Sequence, residues 1–259
     1  FGSLKAGPGR GSASLRFVGS DVRLRDDTER EMHVALGVRS PGLGDADYPT
    51  SLVMQAIVGS WDKSLGSNKN MFSKVSHQAG PFELANSYAS FCEAYSDVGL
   101  WGAYIVSENL SGIDDLIWFL QKDWARLTVS PTEGDVHIAR NKVCAAIHHS
   151  LGSATSAVAD DIGRQITATG GRLSPREFGA LVDRVTWKDV SRVAGEYLWD
   201  QEVAVVGIGP VEGVTDFVRY GARPCKPFLT ARLRFLATSP CADRLSVCSY
   251  PALFFACKI

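Results

Sequence analysis

Long apolar stretches are missing from this 259-residue chain. No run approaches the roughly 18 to 20 residues of a membrane span, so none is expected. Close cysteine pairs are missing as well. Of six cysteines, Cys225, Cys241, Cys248 and Cys257 lie after residue 220, without the C-x2-4-C spacing of a zinc module. Cys92 and Cys144 are too few for a disulfide framework, which points to a reducing compartment. The five histidines form neither H-E-x-x-H nor the inverted H-x-x-E-H, the spacings that set two imidazoles and a Glu base around Zn2+. His137, Cys144 and His148 share one helical stripe, and Cys144 and His148 are close enough to meet at one ion. His137 stands two turns from Cys144, about 10 Å at the helical rise, and a metal site needs three or four convergent ligands. The stripe reads better as the polar flank of a helix, so no metal ligand is assigned in this chain. No G-x-S-x-G elbow occurs, nor any Cys/His set better than chance. VVGIGPVEG lacks the third glycine of a dinucleotide fingerprint and carries Pro210, so it reads as a strand ending in a tight turn. KAGPGRGS holds no G-K-[ST] and precedes no helix, which excludes a phosphate loop. On the residues alone the chain is a scaffold or binding domain, with no catalytic residue to name.

Charge is scarce overall but unevenly placed. Residues 221–259 carry six Lys/Arg against one acid, Asp243, a net of +5, so the whole-chain −1 leaves −6 for the rest. A mildly acidic body does not suit a nucleic-acid binder. The start, FGSLKAGPGRGSASLRF (residues 1–17), has neither an initiator Met nor an apolar signal core. Its Gly/Pro content argues against an amphipathic transit helix. It reads as a flexible linker and as the cut end of something longer.

What is present is regular. VGSDVRLRDD and MHVALGVRS alternate as two strands joined by a charged turn. Pro49 opens a helix with Leu52, Val53, Ala56 and Ile57 on one face. WDKSLGSNKN (61–70) is polar and reads as a loop, followed by a short helix over 71–77. SYASFCEAY and GLWGAYIVS are strands about the turn Ser96-Asp97-Val98-Gly99. Then Ile113, Leu116, Ile117, Leu120, Trp124 and Leu127 take the helical period. Capping boxes are expected at Ser111/Asp114, Ser130/Glu133, Ser174/Glu177 and Thr186/Asp189, with Pro131 and Pro175 at first helical positions. They start helices over 111–127, 131–151, 174–184 and 187–199, with another over 155–169 and a last strand EVAVVGIG. The order predicts an α+β fold, a mainly antiparallel sheet with helices packed on one face.

Several blocks are long and unusual: HVALGV (33–38), VMQAIVGSWDKSLG (53–66), ELANSYASF (83–91), YSDVGLWGAYIVSENL (95–110), DIGRQI (161–166) and YLWDQEVAVVGIGPVEG (197–213). In this order and spacing, over about residues 1–220, the chain resembles the C-terminal half of the β subunits of mitochondrial processing peptidases. These belong to the pitrilysin-like metallopeptidases, together with the core I subunits of respiratory complex III. The resemblance implies two similar α+β domains, of which the first carries the H-x-x-E-H zinc ligands and a more distant Glu. The second, represented here, packs across a cavity, helps enclose an extended presequence peptide and contacts an α subunit. The family cleaves targeting presequences in the mitochondrial matrix. A core I role, structural and on the matrix face of complex III, stays open as an alternative, and so does a free-standing interaction module.

Residue by residue, the resemblance carries over little chemistry. No zinc ligand is present to carry over, so zinc is expected only in the N-terminal domain and the chain alone is expected to be inactive. The opening strand pair matches the family's pair beside the substrate cavity. Tyr95 is placed nearest the cleft, as a hydroxyl donor to a bound peptide's carbonyl, with a sheet-packing aromatic as the plain alternative. Where many relatives carry L-R-E-x-R-G-L-A-Y-S, this chain has HQAGPFELANS, without the Arg and with Asn86 in place of the Tyr. That loss matches the mitochondrial β branch, and the single glycine of residues 61–70 disfavours the α subunit. The domain expectation is a linker over 1–17, a peptidase-family domain over 18–220 and an unrelated basic tail over 221–259, outside the fold.

Overall fold

The computed structural model describes residues 17–66, 71–152 and 154–214. The chain divides into two units, Phe1–Cys225 and Lys226–Ile259, and every described residue lies in the first. The expectations for residues 1–16 and for the tail over 221–259 fall outside the described residues.

Strands β1 (Asp21–Arg25), β2 (Met32–Pro41), β3 (Ser60–Asp62), β4 (Ser87–Ala94), β5 (Val98–Ser107) and β6 (Ala204–Gly209) form one sheet in the order β1-β6-β2-β5-β4-β3. All pairs are antiparallel except β1 with β6. Helices α1 (Tyr48–Val58), α2 (Ser76–Ala79), α3 (Ile113–Val129), α4 (Glu133–Gly152), α5 (Thr155–Thr169), α6 (Pro175–Asp183) and α7 (Trp187–Tyr197) account for the rest. The α+β architecture, with helices on one face of the sheet, is the one expected.

The alternation of β2 decides which face is covered. Met32, Val34, Leu36 and Val38 are fully buried under the helices, while the residues between them point away. On β5 the buried set is Trp101, Ala103 and Ile105. Against it lies α3, whose Ile113, Leu116, Ile117, Leu120, Trp124 and Leu127 are all buried, at about 1.5–3 kcal/mol for each large side chain. Trp101 and Trp124 meet with ring centroids 5.1 Å apart and tilted by 59°, an edge-toward-face contact that joins the two layers. Gly102 has no room for a side chain, because a Cβ there would collide with the Leu36 carbonyl of the neighbouring strand. Helix α1 is buried more widely than one stripe, with Met54 and Val58 inside as well as Val53 and Ile57, because α4 and α7 flank it.

Five local expectations are corrected. First, β1 and β2 are not a hairpin: β6 lies between them, parallel to β1 and antiparallel to β2. The connection through Asp26-Asp27 is long enough to step over one strand spacing of about 4.8 Å twice, where a tight hairpin turn is not. Asp26 N–H donates to the Gly209 carbonyl, which anchors that step. Second, Ser60–Asp62 is an edge strand rather than loop, because Trp61 is buried opposite Tyr88. Third, the helix expected over 71–77 is the shorter α2, Ser76–Ala79. Fourth, Ser111 does not cap α3. The Asn109 side chain accepts from the Ser111 and Gly112 N–H groups instead, at 3.1 and 3.0 Å. Fifth, Ser130 closes α3, its N–H on the Arg126 carbonyl, so α4 begins only at Glu133 and Pro131 precedes it. The boxes at Ser174/Glu177 and Thr186/Asp189 form in full.

Candidate functional site

Period-two strands that bury one face must present the other. Here that second face is apolar and carries no helix of the described residues. The register lines up two rows across it. One runs Leu24, Ile208, His33, Val106 and Ser87, the other Val22, Val206, Ala35, Tyr104 and Ala89. Val22, Leu24, Val206, Ile208 and Tyr104 are between 37 % and 58 % exposed. Contiguous apolar surface of this kind marks a contact face rather than ordinary surface scatter.

At the centre of the rows His33 and Tyr104 form a pair. The phenol oxygen lies 2.7 Å from His33 Nδ1, and the rings stack 6.0 Å apart at 21°. With the imidazole neutral and its proton on Nε2, the phenol donates to Nδ1 and Nε2–H is left for an external acceptor. Nearby, Asn86 Nδ2 donates to Glu31 Oε1 at 3.2 Å, while its N–H goes to Val106 and its carbonyl accepts from Lys63. Asn86 therefore joins the start of β4 to the chain entering β2.

Tyr95 is elsewhere. It sits in the β4–β5 turn, held by backbone bonds to Val98 and Leu43, and is 65 % exposed. Its ring is thus not packed into the sheet. The His33–Tyr104 pair lies toward the other end of the strands, so the structure does not bring the two together. The helix stripe does not converge either. His137 and His148 are exposed, whereas Cys144 turns toward α6, its Sγ 3.9 Å from where a Cβ on Gly179 would stand. Burial raises the Cys144 thiol above its ordinary value, which opposes the thiolate a metal needs. Among the described residues no three His, Cys, Asp or Glu side chains gather as a metal site.

The exposed face escaped a reading built on motifs. A signal was nonetheless present: VVGIG and DVRLR place aliphatic residues where a half-exposed strand should be polar.

The sheet order, its register and the helices on one face define an α+β domain. The family described as "Peptidase M16 inactive domain" matches residues 1–143, and the chain belongs to it. The probable mitochondrial-processing peptidase subunit beta of Schizosaccharomyces pombe is 46 % identical over 204 residues, which is 79 % of this chain and 44 % of that protein. The mitochondrial-processing peptidase subunit beta of Lentinula edodes is 45 % identical over 203 residues, 78 % of this chain and 43 % of its own length. Among solved structures, a chain of complex III2 from Candida albicans, bound to Inz-5, superposes with a TM-score of 0.76 at 30 % identity. That match covers 78 % of this chain and 48 % of the other. This chain therefore spans less than half the length of the relatives it matches, and those relatives are mitochondrial proteins.

Proposed function

We propose that this chain is the C-terminal, non-catalytic domain of a mitochondrial processing-peptidase β subunit, working in the matrix or on the matrix face of the inner membrane. The observation that carries the reading is the uncovered apolar sheet face on a domain 46 % identical to a β subunit. In this reading the face packs against a zinc-bearing N-terminal half, and the two halves with an α subunit enclose a presequence. Zinc, when bound in that other half, supplies the polarised carbonyl and the activated water. This domain supplies walls and hydrogen bonds: Nε2–H of His33 from the sheet and the phenol of Tyr95 from the turn, each toward a peptide carbonyl.

The test is reconstitution. The purified chain alone should hold no stoichiometric zinc and should leave a presequence peptide intact. Adding the zinc half and an α subunit should restore cleavage. Ile208→Asp, on the exposed face, should prevent that rescue while the circular dichroism of the chain is unchanged. Tyr95→Phe should lower turnover in the complex and leave the fold alone. Tight zinc on the isolated chain, lost on His148→Ala, would sink the proposal, as would full rescue by the Ile208→Asp chain.

A second reading, a structural subunit of complex III, is favoured by the superposition on a chain of that complex. Tagged chain recovered with respiratory subunits and without an α subunit would select it. Recovery with neither would select a free-standing interaction module.

A further inference from the structure

Helix α5 is poorly provided for by its own sequence. Its 15 residues, TSAVADDIGRQITAT, carry Gly163 in the interior and β-branched residues along much of the length, both unfavourable to a helix. A helix of about 12–15 residues is marginal in water unless packing holds it. Packing is what α5 lacks. It alone among the helices of the described residues holds no buried residue, whereas α3 buries Leu116, Leu120, Trp124 and others.

Its seat is poor as well. A cavity of about 170 Å³ separates it from α1, α4 and α6. Leu52, Ile147 and Phe178 are among the facing walls, while α5 contributes Asp161, Arg164, Gln165 and Thr169. Val158 and Ile162 are only partly buried, and Ile166 is 51 % exposed. The helix thus shows polar groups to an apolar space and an isoleucine to water, and the unfilled volume forfeits dispersion contacts. Its side-chain hydrogen bonds stay local. Asp161 accepts from Gln165 Nε2 at 3.0 and 2.9 Å, and Gln165 Oε1 accepts from the Leu173 N–H at 2.7 Å. The Thr167 and Thr169 hydroxyls donate to carbonyls between residues 163 and 171. No ion pair among the described residues reaches α5.

We propose that α5 is a strap over the helix layer, which opens by itself while the rest of the fold stays intact. Its ends are built to allow this. Helix α4 finishes at Gly152, and α5 finishes at Gly170, left-handed at φ 74°, with Gly171 after it. A Cβ on any of the three would meet nothing within 4 Å. Once off its seat, α5 also gives up its helix, because nothing else supports one of that length and sequence. Opening changes the surface of the helix layer. The cavity shares Tyr48, Leu173 and Phe178 with a cleft of about 770 Å³, and Leu52, Ile147 and Ser150 with a second of about 520 Å³. With α5 away the three spaces join into one trough with apolar walls, and with α5 seated those walls are covered. The device does not depend on the peptidase reading, so its test needs neither zinc nor an α subunit.

Native-state hydrogen exchange of the full chain reads the opening directly. The α5 amides should exchange together, about a hundredfold faster than those of α3. Urea below the unfolding midpoint should speed α3 steeply and α5 only slightly, since opening a strap exposes far less surface than general unfolding. Gly163→Ala adds a methyl in open space and favours the helix, so it should slow α5 exchange about fivefold. Brief trypsin treatment should cut after Arg164 sooner than after Lys122, Arg126 or Arg140 of the other helices. The inference is overturned if α5 amides are as protected as those of α3, or if both respond to urea with one slope. It is equally overturned if Gly163→Ala leaves α5 exchange unchanged, or if trypsin spares Arg164 while cutting α3 or α4.

Discussion

At the scale of single residues, hydroxyl and carboxyl pairs decide where helices begin. Thr186 Oγ1 accepts from the Asp189 N–H, and the Asp189 carboxylate accepts from the Thr186 N–H at 2.9 Å. The bond from the Thr186 hydroxyl, then that from its N–H, holds the Asp189 carboxyl below the usual aspartate range. A carboxyl depressed in the folded state adds stability above its unfolded pKa of about 3.9 and loses it as pH falls through the folded value. Thr186→Ala should therefore lower the unfolding free energy by about 1 kcal/mol near neutral pH. The deficit should begin to shrink below about pH 4 and vanish as pH falls through the lower folded value, where the wild-type box itself becomes protonated. Urea midpoints for both proteins at the two pH values check this, and a deficit independent of pH would remove Asp189 from the account. Burial works in the other direction on Tyr88, whose phenol is pushed up to about 12 while it bonds Ser73 at 2.7 Å.

Between elements, one link outside the sheet is ionic. Arg126 on α3 bonds Asp123 Oδ1 at 2.8 Å and reaches Asp135 on α4 at 3.0 Å, with the Asp123 side chain 5 % exposed. Removing one partner of a buried pair leaves the other charge without compensation. Arg126→Met should cost about 3 kcal/mol, and adding Asp123→Leu should recover most of that loss. A double-mutant cycle in denaturant reads the coupling, and a double variant no more stable than the single one would refute it. The elements also show what a sequence conveys. Helix α3 was fully legible, because six apolar residues at helical spacing leave one possible buried face. Its cap was not: Ser111 has the chemistry to take the Asp114 N–H, but the side chain that acts there is Asn109, which accepts from the Ser111 and Gly112 N–H groups one turn earlier. Likewise the alternation of DVRLR announced a strand, yet nothing local could say that its neighbour lies near residue 205 rather than 35. Local propensity specifies elements, whereas pairing is a long-range choice made by packing. The candidate site was the least legible part. His33 and Tyr104 are far apart in sequence and meet only because β2 and β5 pair in one register.

For the whole molecule, the expected outcome is dependence on something else. A domain that leaves aliphatic rows on its sheet uncovered gains stability from any partner that buries them. The unfolding temperature of this chain should therefore rise when the zinc half proposed above is present. The sheet carries one further consequence, and it concerns time. Gly19 N–H bonds the Glu202 carboxylate from 183 residues away, and β1 then runs alongside β6. At roughly 5–20 residues per second, a ribosome delivers those partners about 10 to 35 seconds apart. During that interval the β2 edge stands open, and β1, the first of the described strands, has no neighbour. Open edges of this sort recruit other chains. A nascent chain stalled before Val203 should therefore be a substrate for holding chaperones and a seed for aggregation, whereas one released after Val214 should be neither. Pulse proteolysis of chains ended at those two residues measures the difference, with equal protection arguing that β6 is dispensable. β6, the last of the described strands, is the clasp, and until it arrives this sheet is unfinished however well the helices have formed.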